Sequence, residues 1–200
     1  MTDQADAEVT ARPARGRLVA AILAVAIVGS GGAYALTRQA PDRVSAADAP
    51  PARAPADDAV LTEGAWPEVA AYVTAQSHRD RPTVVKFFAS WCEPCKAETP
   101  RVLAVARANP QVAFVGVAHE DRPEPARAFV ADYGLAAMPT VLDALGETAR
   151  AVGVLGMPGV AFFDADGVLV GTHIGPVTQD SLQRWLDGLT GAGPLPEQAA

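Results

Sequence analysis

The strongest constraint on this chain lies at residues 83–95, where an apolar run, Thr83–Ala89 (TVVKFFA), leads directly into Trp91-Cys92-Glu93-Pro94-Cys95 and then into a helical stretch reaching about Ala108. A short run rich in β-branched and aromatic residues and bounded by turn signals reads as a buried strand. Val112–Ala118 (VAFVGVA) reads as a second one, followed by a helix over about Pro125–Tyr133. Val160–Phe163 and Val168–Ile174, separated by Asp164-Ala165-Asp166-Gly167, predict a β-hairpin. A short amphipathic helix is predicted over Trp66 to about Gln76. A closing one is predicted over Gln179–Leu189, with Leu182, Trp185, Leu186 and Leu189 on one face. Strands alternating with helices, then a hairpin and a last helix, predict a mixed α/β sandwich around one sheet.

The two cysteines take their chemistry from this setting. Cys92 falls at a helix N-terminus, where unpaired backbone N–H groups and the positive end of the helix dipole favour a thiolate, so it reads as the nucleophile. Cys95 is one turn further on, close enough to close a disulfide and less accessible. A structural zinc site needs four ligands, and the chain offers no further cysteine and only scattered histidines, His78, His119 and His173. A Cu(I) site using both thiolates and one histidine stays open as an alternative.

Leu18–Leu36 is an uncharged run of 19 residues with Arg12, Arg15 and Arg17 before it. As a helix it would span about 28 Å, close to the ~30 Å of a bilayer's hydrocarbon. The arginines predict a cytoplasmic N-terminus and an extracytoplasmic remainder. Ala33-Tyr34-Ala35 has the small-x-small form of a signal peptidase site, but the length of the run favours a retained anchor. The resulting division is 1–17 cytoplasmic, 18–36 transmembrane anchor or signal, 37–59 an alanine- and proline-rich extended tether, 60–190 the folded domain and 191–200 a tail. The formal charge is -7 with only 16 cationic side chains, which argues against nucleic acid as a partner.

Residues 87–100, FFASWCEPCKAETP, resemble the active-site segment of the TlpA/ResA-type thioredoxins, with Trp91 before the first cysteine and Pro100 in the place of the helix's kinking proline. Residues 153–175, GVLGMPGVAFFDADGVLVGTHIG, resemble the same family's cis-proline loop and following hairpin. The resemblance covers roughly residues 83–190. It implies a thioredoxin fold, a central mixed sheet flanked by helices, and an extracytoplasmic thiol:disulfide oxidoreductase that needs no cofactor beyond a redox-active Cys92–Cys95 disulfide. For many members it implies reduction of disulfides in apocytochrome c or other exported proteins, with electrons from a membrane donor of the CcdA type.

Four residues beyond the cysteines are candidates, three of them matching the family and Lys86 departing from it. Trp91 flanks the nucleophile. Glu98, one turn past Cys95, matches a glutamate of the ResA-like branch that could act as acid or base. Pro158, rather than Pro139 in the other Met-Pro pair, is expected to be cis and to lie beside the site, because it directly precedes the Val160 strand. Lys86 stands where thioredoxin carries a buried aspartate. Its ammonium either reaches solvent past an aliphatic stem or sits near Glu98 or Cys95 and modulates them. Two further departures are visible: residues 60–82 lack a strand-like opening, and Gly159 replaces what is usually a threonine. Glu93 and Glu98 should disfavour a strongly acidic thiol, which predicts a potential nearer thioredoxin's, about -270 mV, than DsbA's, about -120 mV. A disulfide-forming oxidase and a Cu(I) metallochaperone are the alternative functions.

Overall fold

The computed structural model describes residues 43–57 and 60–197. The membrane segment predicted at Leu18–Leu36 lies outside them. Among the described residues no helix is long and apolar enough to cross a membrane.

Six strands form one sheet in the order β1-β4-β3-β2-β5-β6. β1 is Thr62–Glu63, β2 Thr83–Phe88, β3 Ala113–His119, β4 Thr140–Asp143, β5 Gly159–Phe163 and β6 Leu169–Ile174. β1 to β4 run parallel to one another, whereas β5 is antiparallel to both β2 and β6. The helices are α1 (Trp66–Ser77), α2 (Glu93–Ala108), α3 (Pro123–Asp132), α4 (Glu147–Ala151) and α5 (Gln179–Leu189). The mixed sheet flanked by helices is the arrangement expected from the sequence.

β2 is buried at every position, which explains why its sequence is a continuous apolar run rather than an alternation. Successive side chains still point to opposite faces. Val84 and Phe88 join a core roofed by α2, α3 and α5, where Phe162 stacks on Trp185 with ring centroids 4.2 Å apart. Val85 and Phe87 join the core under α1 and α4, with Val115, Val117 and Phe163. By the same alternation Lys86 lies on the α2 side.

Three expectations change. Residues 60–82 do contain a strand, β1, which pairs with β4 through only two residues. The segment after Pro139, for which the sequence predicted no strand, forms β4, whose register against β3 aligns Val117 with Val141. Part of the stretch expected to be an extended tether is held to the domain instead. Leu169 N donates to Val44 O at 2.9 Å, Ala46 N donates to Gly167 O at 3.0 Å, and Ala46 and Pro55 are buried. A segment of alanine and proline has too little apolar surface for a core of its own, but it can cover one that already exists.

Candidate active site

Parallel β2 and β3 end at the same rim of the sheet, and antiparallel β5 begins there, with Gly159 opposite Phe87. The cysteine turn leaves β2 at that rim. Cys92 caps α2, its Sγ 3.2 Å from the Cys95 N–H, and is joined to Cys95 in a disulfide with Cα atoms 5.3 Å apart. Pro94 fits the second helical position, where its missing N–H costs nothing. Cys95 is fully buried, Cys92 is 4% exposed and Trp91 is 57% exposed, so the first cysteine is the more accessible of the pair.

Met157–Pro158 is the one cis peptide bond among the described residues, so Pro139 is not the cis proline. Pro158 sits at the cysteine rim, where its carbonyl accepts from Gly175 N at 2.8 Å. Gly159 has a local reason to differ from threonine: a Cβ there would lie 2.3 Å from Val154 Cγ1.

Lys86 and Glu98 are brought together. Nζ lies 2.5 Å from Glu98 Oε1, so the ammonium does not reach solvent and Glu98 is not a solvated helix residue. The contact is a charge pair rather than an aligned hydrogen bond. Nζ donates to Phe87 O at 2.6 Å and to Gly159 O at 3.4 Å, while Glu98 Oε1 has no aligned donor. Glu98 Oε2 accepts from Val177 N at 2.8 Å. Burial pulls the Lys86 pKa down and the facing Glu98 partly offsets it. The pair thus ties β2, β5, α2 and the approach to α5 together.

The other acidic residue of the motif is also matched: Glu93 pairs with Lys96, which raises the Lys96 pKa through that hydrogen bond. The negative charge expected to weigh against a thiolate is therefore offset at both glutamates.

Sequence reasoning missed the turn after β3. Asp121, 6% exposed, accepts from Ser90 N at 2.6 Å and from Ser90 Oγ at 2.8 Å. Glu120 O accepts from the Trp91 indole at 3.3 Å. The signal was Asp121-Arg122-Pro123, a helix start falling at the end of a predicted strand. Among the described residues no group of three or more His, Cys, Asp and Glu side chains is placed to hold a metal ion.

Comparison with known proteins agrees with this geometry. The chain is 29% identical to the thiol:disulfide interchange protein HelX of Rhodobacter capsulatus over 106 residues, covering 53% of this chain and 59% of HelX. It is 34% identical to the soluble secreted antigen MPT53 of Mycobacterium tuberculosis over 116 residues, covering 57% of this chain and 66% of that one. Each match takes in less than two thirds of the relative's own length. Among solved structures, MTB dsbF in its mixed oxidized and reduced forms superposes with a TM-score of 0.52 at 34% identity, covering 55% of this chain and 81% of that one. The fold is accordingly thioredoxin-like. The Redoxin sequence profile matches residues 58–185, a span that takes in all six strands and the cysteine pair, and the chain belongs to the Redoxin family.

Proposed function

We propose that this protein is a thiol:disulfide oxidoreductase working outside the cytoplasm through Cys92 and Cys95. The observation that carries the reading is the disulfide at the N-terminus of α2, on the rim shared with cis Pro158. In the reduced protein the Cys92 thiolate attacks one sulfur of a substrate disulfide, forming a mixed disulfide and expelling the other substrate sulfur as a thiolate. Cys95 then attacks Cys92 Sγ, releases the second substrate thiolate and restores the Cys92–Cys95 bond, so two electrons pass to the substrate. Trp91, Leu155 and Ile174 offer exposed apolar surface to a polypeptide partner.

The substrates in this reading are disulfides of exported proteins such as apocytochrome c, and a membrane donor of the CcdA type returns the two electrons. Leu18–Leu36 anchors the domain in the bilayer, its arginine flank on the cytoplasmic side. Protease added to intact spheroplasts should then remove the domain. A domain protected until lysis refutes the location.

Lys86 and Glu98 serve in this reading as the buried charged pair next to Cys95, with Glu98 accepting or returning the proton of the second thiol. A second reading, the oxidase direction, is favoured by the pairing of Glu93 with Lys96 and Glu98 with Lys86, because that pairing removes the charge argument for a strong reductant. Equilibration with glutathione buffers decides between them. A potential near about -270 mV, with the dithiol accumulating in cells, supports the reductase. One above roughly -180 mV, with the disulfide accumulating, supports the oxidase.

A further inference from the structure

We infer that Asp121 is a positioning residue for the nucleophile: it fixes Ser90 and Trp91, and through them holds Cys92 Sγ at the N-terminus of α2. This rests on the reading of Cys92 as the attacking thiol.

Three donors converge on the Asp121 carboxylate. Oδ2 accepts from Ser90 N at 2.6 Å, and Oδ1 accepts from Ser90 Oγ and from Arg122 N, each at 2.8 Å. Ser90 is therefore held by both its backbone and its hydroxyl. Hydrogen bonds to an ionised acceptor are roughly twice as strong as neutral ones, and the Asp121 side of these part-buried contacts is largely withdrawn from water.

Trp91 is held from the neighbouring residue. Glu120 has φ 46°, in the left-handed region that a non-glycine residue seldom adopts, and in this conformation its carbonyl accepts from the Trp91 indole. Its own N–H donates to Asp143 O at 2.9 Å, which roots the turn in the end of β4. Space for the turn comes from Gly146, where a Cβ would lie 2.7 Å from both Glu120 Oε1 and His119 Cε1. Both residues that immediately precede Cys92 are thus clamped by one turn from the adjacent parallel strand. On the helix side Cys92 O accepts from Cys95 N at 3.1 Å and from Lys96 N at 3.3 Å, while on the upstream side the segment is fixed by Cys92 N to Ala89 O, at 3.1 Å, and by the clamp on Ser90 and Trp91.

An asparagine at position 121 cannot replace the carboxylate. Its single oxygen accepts either from Ser90 N or from Arg122 N, and its NH2 then faces the other N–H. The freed segment lets Sγ drift from the helix end, whose N–H groups and dipole stabilise the thiolate.

The test is the pH profile of iodoacetamide alkylation of the reduced full-length chain, with peptide mass spectrometry reporting Cys92 and Cys95 separately. In Asp121→Asn the Cys92 rate at neutral pH should fall on the order of tenfold, and its midpoint should move up although a negative charge has been removed. Ser90→Ala, which loses only the hydroxyl contact, should shift the same way by less. A midpoint that falls shows that the carboxylate acts only through its charge. One that stays in place while thermal stability drops shows a purely structural role. Either outcome overturns the proposal. Should Asp121→Asn fail to fold, an unshifted midpoint in Ser90→Ala overturns it equally. Wild-type protein that alkylates at Cys95 before Cys92 defeats the nucleophile assignment itself, a failure distinguishable from the others because it needs no variant.

Discussion

The Lys86 ammonium and the Glu98 carboxylate meet at 2.5 Å with side chains only 2% and 1% exposed, so each charge depends on the other for the solvation that water does not supply. Removing one partner strands the other. Lys86→Met is expected to destabilise the fold by about 3–5 kcal/mol. Lys86→Met combined with Glu98→Gln should recover much of that, because the amide oxygen can still accept from Val177 N. Guanidinium unfolding of the wild type, both single variants and the double variant measures the coupling. Additive losses would show that the two charges do not act as a pair.

Two groups shape stability at alkaline pH, with opposite signs. The Lys86 pKa is depressed by burial. Between its folded value and the ordinary 10.5 the unfolded chain holds a proton that the folded one has released, so this group raises stability as pH climbs through that window. Tyr72 is pushed up to about 12 by burial and then by Asp57. Above pH 10 the unfolded phenol ionises and the folded one does not, so its contribution is complete below pH 10 and is lost as pH rises toward 12. That loss amounts to roughly 2–3 kcal/mol. Unfolding curves from pH 8 to 12 should keep the late fall in Lys86→Met and lose it in Tyr72→Phe. A Tyr72→Phe curve that falls like the wild type contradicts the assignment.

The slight exposure of Cys92 beside the complete burial of Cys95 predicts different traps. Cys95→Ser should accumulate mixed disulfides with substrates, because attack by Cys92 survives and release does not. Cys92→Ser should abolish exchange. Non-reducing gels of cells expressing each variant give the answer, and captured partners on Cys92→Ser alone would reverse the roles.

Gly159 and Val154 occupy one space between them. Gly159→Ala should cost about 1–3 kcal/mol, since the new methyl would meet Val154 Cγ1 at 2.3 Å. Val154→Ala in the same chain should return part of it. Thermal melts of the single and double variants check this, and equal losses in both would place the strain elsewhere.

The parts of the fold legible in the sequence were those whose burial is uniform. β2 and β3 announce themselves because both faces are covered, and α5 because Leu182, Trp185 and Leu186 recur at helical spacing. β1 and β4 were not legible: Thr62–Glu63 is polar and exposed, and Thr140–Asp143 is too short to show a period. Both are strands because β3 offers an edge on which β4 pairs and β1 after it. Within the site, the cysteines and Pro158 could be read locally. The burial of Glu98 was readable too, since Cys95, Glu98, Val102 and Val105 form one helical stripe facing the sheet. The hold of Asp121 on Ser90 was not, because it depends on β2 and β3 being neighbours.

The segment that runs from Val44 past Pro55 decides where this folding unit can be cut. A chain started at residue 60, the boundary that composition suggests, loses Ala46 from the core under α1 and the bridge from Ser45 to Val168. It would also leave the Val44 partner of Leu169 unfilled at the start of β6, the outermost strand of the sheet. An uncovered edge of that kind is a template for pairing with another copy. A shortened protein begun there would tend to self-associate and lose solubility, while one begun at residue 43 keeps the start of β6 covered.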